Sequence, residues 1–313
     1  VTLQGAGASF PAPLYNRWFK AYSAAHQNTL VDYQSVGSGG GVKSVIDHTV
    51  DFGASDAAMK EEDMAKVPEG VRLFPMTAGS IVLAYNLPNV GQLKLPRKAY
   101  ASMFLGSITR WNDPSIAAAN PGVTLPDLPI NVVVRADSSG TSFVFSQHLS
   151  AISEEFHSRV GANTMPNWPV GTKSKGNEGV TAALMTTPGS IGYVEYGYAK
   201  SQKLTVALLE NKTGAFIEAN TQSGQAALAS ATLPENMIAW APDPDGADAY
   251  PIVTYTWLIS YRKYADPAKR LAMQDLIRYG LTEGQKESEA LGYIPLPVGV
   301  VEKATAALSL ITE

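Results

Sequence analysis

The chain has 313 residues, 45% of them hydrophobic, with 24 Lys and Arg against 28 Asp and Glu, a balance that suits a globular protein of two domains or one large one. A net charge of −4 with no clustered Lys/Arg run excludes a basic footprint for nucleic acid or an anionic membrane surface, and apolar runs such as residues 81–84 fall far short of the roughly 18 residues of a membrane span. The absence of cysteine excludes disulfides, thiolate metal sites and a cysteine nucleophile.

The chain starts at Val1 without the charged and apolar regions of a secretory signal, so any such signal is expected to have been removed or never to have existed. GAGASFPAP at residues 5–13 ends in prolines that lead into a helix with Leu14, Trp18 and Tyr22 on one face and Tyr15 and Phe19 alongside. LVDYQSV at 30–36 reads as a short strand delivering the chain to GSGGGVKS at 37–44, after which Val42, Val45 and Ile46 carry a helix. VDFGASD at 50–56 repeats the strand-to-loop pattern before a polar, helix-prone stretch at 57–66. Residues 80–87 read as an extended linker, INVVV at 130–134 runs into RADSSGT at 135–141 and a helix carrying Phe143 and Phe145, and residues 251–260 read as a second extended linker. Three strand-to-helix switches thus carry Ser, Asp or Gly, and in open α/β sheets ligands sit beyond the carboxyl ends of strands.

GSGGGVKS approaches the phosphate loop of nucleotide-binding proteins, G-x-x-x-x-G-K-[ST], but Val42 stands where that loop needs its second glycine. A branched side chain takes the positive φ of that turn only at steric cost. What remains is Ser38 and glycines leading into a helix whose free N–H groups suit an anion, with Lys43 inside the helix reading equally as a solvated charge. Ser9 offers a hydroxyl among small residues that let backbone amides approach a ligand, or else it caps the next helix. The third loop is more specific: Arg135 presents a planar fork to an oxyanion, and Ser139, Gly140 and Thr141 add hydroxyls and consecutive amides at a helix start. Against this stands a capped helix with Arg135 paired to Asp137. Asp56 would repel a fully ionised anion yet accept a hydrogen bond from one that keeps a proton, or else cap a helix at Ala57. His26, His48, His148 and His157 show no metal-ligand spacing, and Val36 fills the first glycine position of a G-x-S-x-G elbow around Ser38. An enzyme would need a nucleophile or a metal, where these loops supply donors and one carboxylate.

GAGASFPAP (5–13), GSGGGVK (37–43), DFGASD (51–56) and RADSSGTSF (135–143) together closely resemble the phosphate-binding protein, PstS type, of the bacterial high-affinity phosphate uptake transporter. The resemblance continues in the same order through FLGSITRWND (104–113), PGSIGYVEYGY (188–198) and AYPI (249–252). It implies an α/β, two-lobed periplasmic-binding-protein fold of type II, each lobe a mixed sheet flanked by helices, joined by two extended crossings. Residues 1–80 with 256–313 would form one lobe and 81–255 the other, with phosphate in the cleft between them. Position by position, it implies phosphate contacts at Ser9, Phe10 through its backbone amide, Ser38, Asp56, Arg135, Ser139, Gly140 and Thr141, with Asp137 holding Arg135. It also implies a monomer, without catalytic activity, metal or cofactor, that hands inorganic phosphate to a membrane-embedded ABC phosphate permease. The expected compartment is the periplasm, reached through a removed signal peptide, with room for a lipid anchor on the precursor. Two positions depart from the family pattern: Ser9 where Thr is frequent, which keeps the hydroxyl, and Gly39 where a second serine is frequent, which is expected to loosen the loop. A binder of another tetrahedral oxyanion, or a phosphatase using the same cradle, are the alternatives.

Overall fold

The computed structural model describes residues 1–312, and the alternation of strand and helix read from the sequence appears in it twice. The first series is β1 (Thr2–Gly7), α1 (Ala12–Ala25), β2 (Leu30–Ser35), α2 (Ser38–Ile46), β3 (Phe52–Ser55), the single turn α3 (Glu61–Met64) and the long β4 (Val71–Tyr85). β5 (Lys94–Leu95), α4 (Arg97–Leu105) and α5 (Pro114–Ala117) lead to the second series: β6 (Asn131–Arg135), α6 (Gly140–Ile152), α7 (Glu154–Arg159), β7 (Thr172–Ser174), α8 (Gly176–Thr186), β8 (Ser190–Glu195) and α9 (Tyr196–Gln202). Short strands β9 (Thr205–Val206), β10 (Leu208–Glu210) and β11 (Phe216–Ile217) and helix α10 (Thr221–Leu228) precede β12 (Val253–Tyr261), α11 (Pro267–Leu281) and α12 (Val298–Ala306).

The main sheet runs β2-β1-β3-β12-β4-β8-β6-β7, with β9 also paired to β4. β1 is parallel to β2 and β3, whereas β12 runs antiparallel between β3 and β4. The partner of β4 changes part-way along it: Val71 to Ser80 pair with β12, and Ile81 to Tyr85 pair with β8. One strand therefore belongs to both lobes, and Ile81 N–H donates to Ile252 O at 2.9 Å, which lays the second crossing beside the first.

Local sequence accounts for most of this. Prolines start α1, where a missing N–H costs nothing, and its buried face carries Leu14, Tyr15, Trp18, Phe19 and Tyr22. β4 and β12 lie in the middle of the sheet and are buried along nearly their whole length, so they read as continuous apolar runs rather than alternating ones. Both expected extended segments belong to these strands, which begin and end at other residues than expected. The helix expected over 57–66 is reduced to Glu61–Met64, because buried Ala58 takes a left-handed backbone (φ 54°) and turns the chain before a helix can start.

Candidate anion-binding cleft

Strand ends deliver the loops. β1 ends at Gly7, just before Ser9 and Phe10; β3 ends at Ser55, beside Asp56; β6 ends at Arg135 itself, while α2 begins at Ser38 and α6 at Gly140. All eight residues expected from the sequence to line a site are buried. The two lobes meet at Gly140, where an added Cβ would stand 2.5 Å from Ser38 Oγ and 2.7 Å from Asp56 Oδ2. No side chain tolerates that approach, so only glycine lets the first turn of α6 close on Ser38 and Asp56. The cleft is shut. Lys43 is not part of it: its ammonium group bonds Asp47 Oδ2 at 2.5 Å on a side chain 76% exposed.

Arg135 is held by Asp137 through two parallel bonds, Nε to Oδ1 at 2.8 Å and Nη2 to Oδ2 at 2.7 Å. Gly176 N–H also donates to Asp137 Oδ1 at 3.1 Å. Burial would raise the Asp137 pKa, but the Arg135 hydrogen bonds and charge hold it below the ordinary carboxylate value. Nη1 of Arg135 remains on the side of Thr141 Oγ1, 3.5 Å away. Asp56 is placed differently. Thr256 Oγ1 donates to its Oδ1 at 2.6 Å, and its own N–H donates to Ser38 Oγ at 3.1 Å. Burial pushes the Asp56 carboxyl up to about 7, against the Thr256 bond and the Arg135 charge, which both favour the ionised form.

Among the described residues, no protein acceptor meets the N–H groups of Phe10, Ser38, Gly140 and Thr141. Several N–H groups beside them are paired: Gly39 N–H with Ser138 O at 3.1 Å, Ser139 N–H with Thr164 O at 2.9 Å, and Ser142 N–H with Ser139 Oγ at 2.9 Å. Buried backbone donors are almost always satisfied, so four left over around one cleft mark a place for an acceptor. The N-termini of α2 and α6 add partial positive charge there.

Several supporting residues escaped the sequence reading. Asn177, fully buried at the start of α8, donates from Nδ2 to Ser9 Oγ at 2.8 Å and to Thr141 Oγ1 at 3.1 Å, and accepts from Glu195 N–H at 2.9 Å. Its own N–H adds a second bond to Ser9 Oγ at 3.0 Å, so that oxygen is spoken for as an acceptor and its proton is free to donate into the cleft. Tyr33, Tyr198 and Tyr293 donate to the carbonyls of Ala8, Ser9 and Phe10 at 2.5, 2.5 and 2.6 Å, which fixes the orientation of the peptide units in this loop. An asparagine after a glycine at a strand-to-helix switch, and a threonine inside the apolar run of β12, were the available signals. Gly39 makes room for Ser138 in the loop before α6.

Two α/β lobes closed on a cradle of donors with one carboxylate define a solute-binding protein of the hinged kind. Among the described residues no group of His, Asp and Glu is arranged to hold a metal. In keeping with this, residues 1–282 match the PBP superfamily domain. The phosphate-binding protein PstS of Pasteurella multocida is 40% identical over 309 residues, covering 97% of this chain and 89% of the relative. PstS of Xylella fastidiosa is 38% identical over 312 residues, covering 98% and 84%. Among solved structures, the phosphate-bound high affinity periplasmic phosphate-binding protein PfluDING superimposes with a TM-score of 0.80 at 20% identity, over 98% of this chain and 94% of that one. The chain belongs to the PstS family of phosphate-binding proteins.

Proposed function

We propose that the protein captures inorganic phosphate in this cleft and delivers it to a membrane-embedded ABC permease, acting as a monomer in the periplasm and not as an enzyme. The observation that carries the reading is one buried carboxylate, Asp56, set among donors from both lobes. A site for a fully deprotonated anion has no use for such a group, whereas phosphate near neutrality keeps a proton to share with it. Phosphate oxygens would be met by the hydroxyls of Ser9, Ser38, Ser139 and Thr141, by the N–H groups of Phe10, Gly140 and Thr141, and by the free edge of Arg135. Asp137 would keep that guanidinium in plane. The names of the relatives support the ligand. Among the described residues no helix is long and apolar enough to cross a membrane.

The strand register supports the division into residues 1–80 with 256–313 and residues 81–255, since β4 changes partner between Ser80 and Ile81. Calorimetric titration with phosphate and with sulfate tests the proposal. Tight phosphate binding with no heat from sulfate is expected. Comparable sulfate binding would make this a general oxyanion carrier, and steady hydrolysis of a chromogenic phosphate ester would make it a phosphatase.

A further inference from the structure

Beside the donor set, the lobes touch through a second contact. Gly39 N–H, in the first turn of α2, donates to Ser138 O at 3.1 Å in the loop before α6. Ser138 Oγ donates in turn to Thr164 Oγ1 at 3.0 Å, and Thr164 O accepts from Ser139 N–H at 2.9 Å. Ser38, Gly39, Ser138 and Thr164 also line an open cavity of about 180 Å³, which puts this contact at the solvent edge of the cleft.

The fit is tight at one point. A Cβ built on Gly39 would stand 2.1 Å from Ser138 Oγ and 2.3 Å from Ser138 Cβ, whereas Ser138 O would be 3.5 Å away, an ordinary contact. Rotating the Ser138 hydroxyl moves Oγ but leaves Cβ where the backbone holds it. A side chain therefore fits on one of the two facing residues, not on both, unless the lobes part.

We propose that Gly39 and Ser138 form a closure latch, a backbone bond plus a matched absence and presence of side chain, that sets how long the cleft stays shut. The proposal rests on the reading of the cleft as a phosphate site. The Gly39 to Ser138 bond and the size match between them exist only when the lobes are together, so they raise the closed population, and apparent affinity scales with that population. Encounter with the open form does not involve them, and the effect falls on release.

The test compares the native protein with Gly39→Ala, Ser138→Gly and the double variant, by phosphate titration, stopped-flow phosphate release, and thermal unfolding without phosphate. Gly39→Ala should raise the Kd at least about tenfold, chiefly through faster release. Without phosphate it should unfold no earlier than the native protein, because alanine favours the helix that glycine weakens. Ser138→Gly alone should stay within about threefold of native affinity, and the double variant should return to within about threefold of Ser138→Gly. Native release from Gly39→Ala, or a double variant as weak as Gly39→Ala, overturns the latch while leaving the phosphate reading intact. A native protein that ignores phosphate overturns both.

Discussion

In the proposed reading Asp56 decides which anion the cleft accepts, and its response to pH can be worked out. Burial holds its carboxyl at about 7, while an unfolded aspartate titrates at about 3.9. Between those values the folded protein keeps a proton that the unfolded chain has lost, so stability from this group is greatest below about 4 and falls as pH rises toward 7. Asp56→Asn removes the titration; without phosphate it should melt above the native protein at about pH 8, and the gap should close near pH 4. The same proton governs selectivity. Above 7 the carboxylate repels sulfate, which has no proton to offer, and a site built on a specific hydrogen bond can reject such an analogue by about 10⁴-fold. Below 7 Asp56 becomes a donor, so sulfate should compete with phosphate increasingly as pH falls, and Asp56→Asn should admit sulfate at every pH. Competition titrations across that range check this, and flat sulfate rejection in both proteins would sink it. Arg135 is the charged counterpart: Arg135→Ala should cost about 2–5 kcal/mol of phosphate binding, because an enclosed anion then depends on dipoles alone and Asp137 loses its cation. Lys43→Ala, on an exposed side chain bonded to Asp47, should leave the titration within about twofold of native.

At the scale of elements, the start of α8 acts as a tie between loops. Asn177 satisfies hydroxyls on β1's loop and on α6 together, so Asn177→Ala should weaken phosphate binding by about 1–3 kcal/mol with little change in far-UV spectrum, as measured by calorimetry. At the end of β8, next to the crossing, Glu195 is fully buried, and burial drives its pKa well above the carboxylate range. Glu195→Gln should therefore gain stability over the native protein as pH rises above about 5, read from thermal melts at a series of pH values. The sequence displayed the parts of the cleft that one loop contains. GSGGGVKS and RADSSGT carry their hydroxyls, amides and guanidinium on consecutive residues at helix starts, so local pattern marked them as candidates and the family resemblance assigned them. Asn177, Thr256 and the tyrosines were hidden because each acts across a long stretch of chain, on Ser9, Asp56 and three backbone carbonyls, and the local pattern around each does not name its distant partner. The helix expected after Asp56 failed for the opposite reason: its composition was right, but tertiary packing put Ala58 in a conformation that no propensity scale contains.

For the whole molecule, the donors from both lobes make closure and binding one event, so saturating phosphate should lower the radius of gyration measured by small-angle scattering. An unchanged radius in phosphate-free and phosphate-saturated protein would mean that the lobes do not part. The sheet order has another consequence, for the time before there is any cleft. β12 lies between β3 and β4, but residues 86–252 are synthesised after β4 and before it. The first lobe therefore emerges with its central strand missing, and β3 and β4 must wait as unpaired edges while the second lobe is made. A chain arrested before Val253 should expose those edges and bind a holding chaperone that the finished protein ignores.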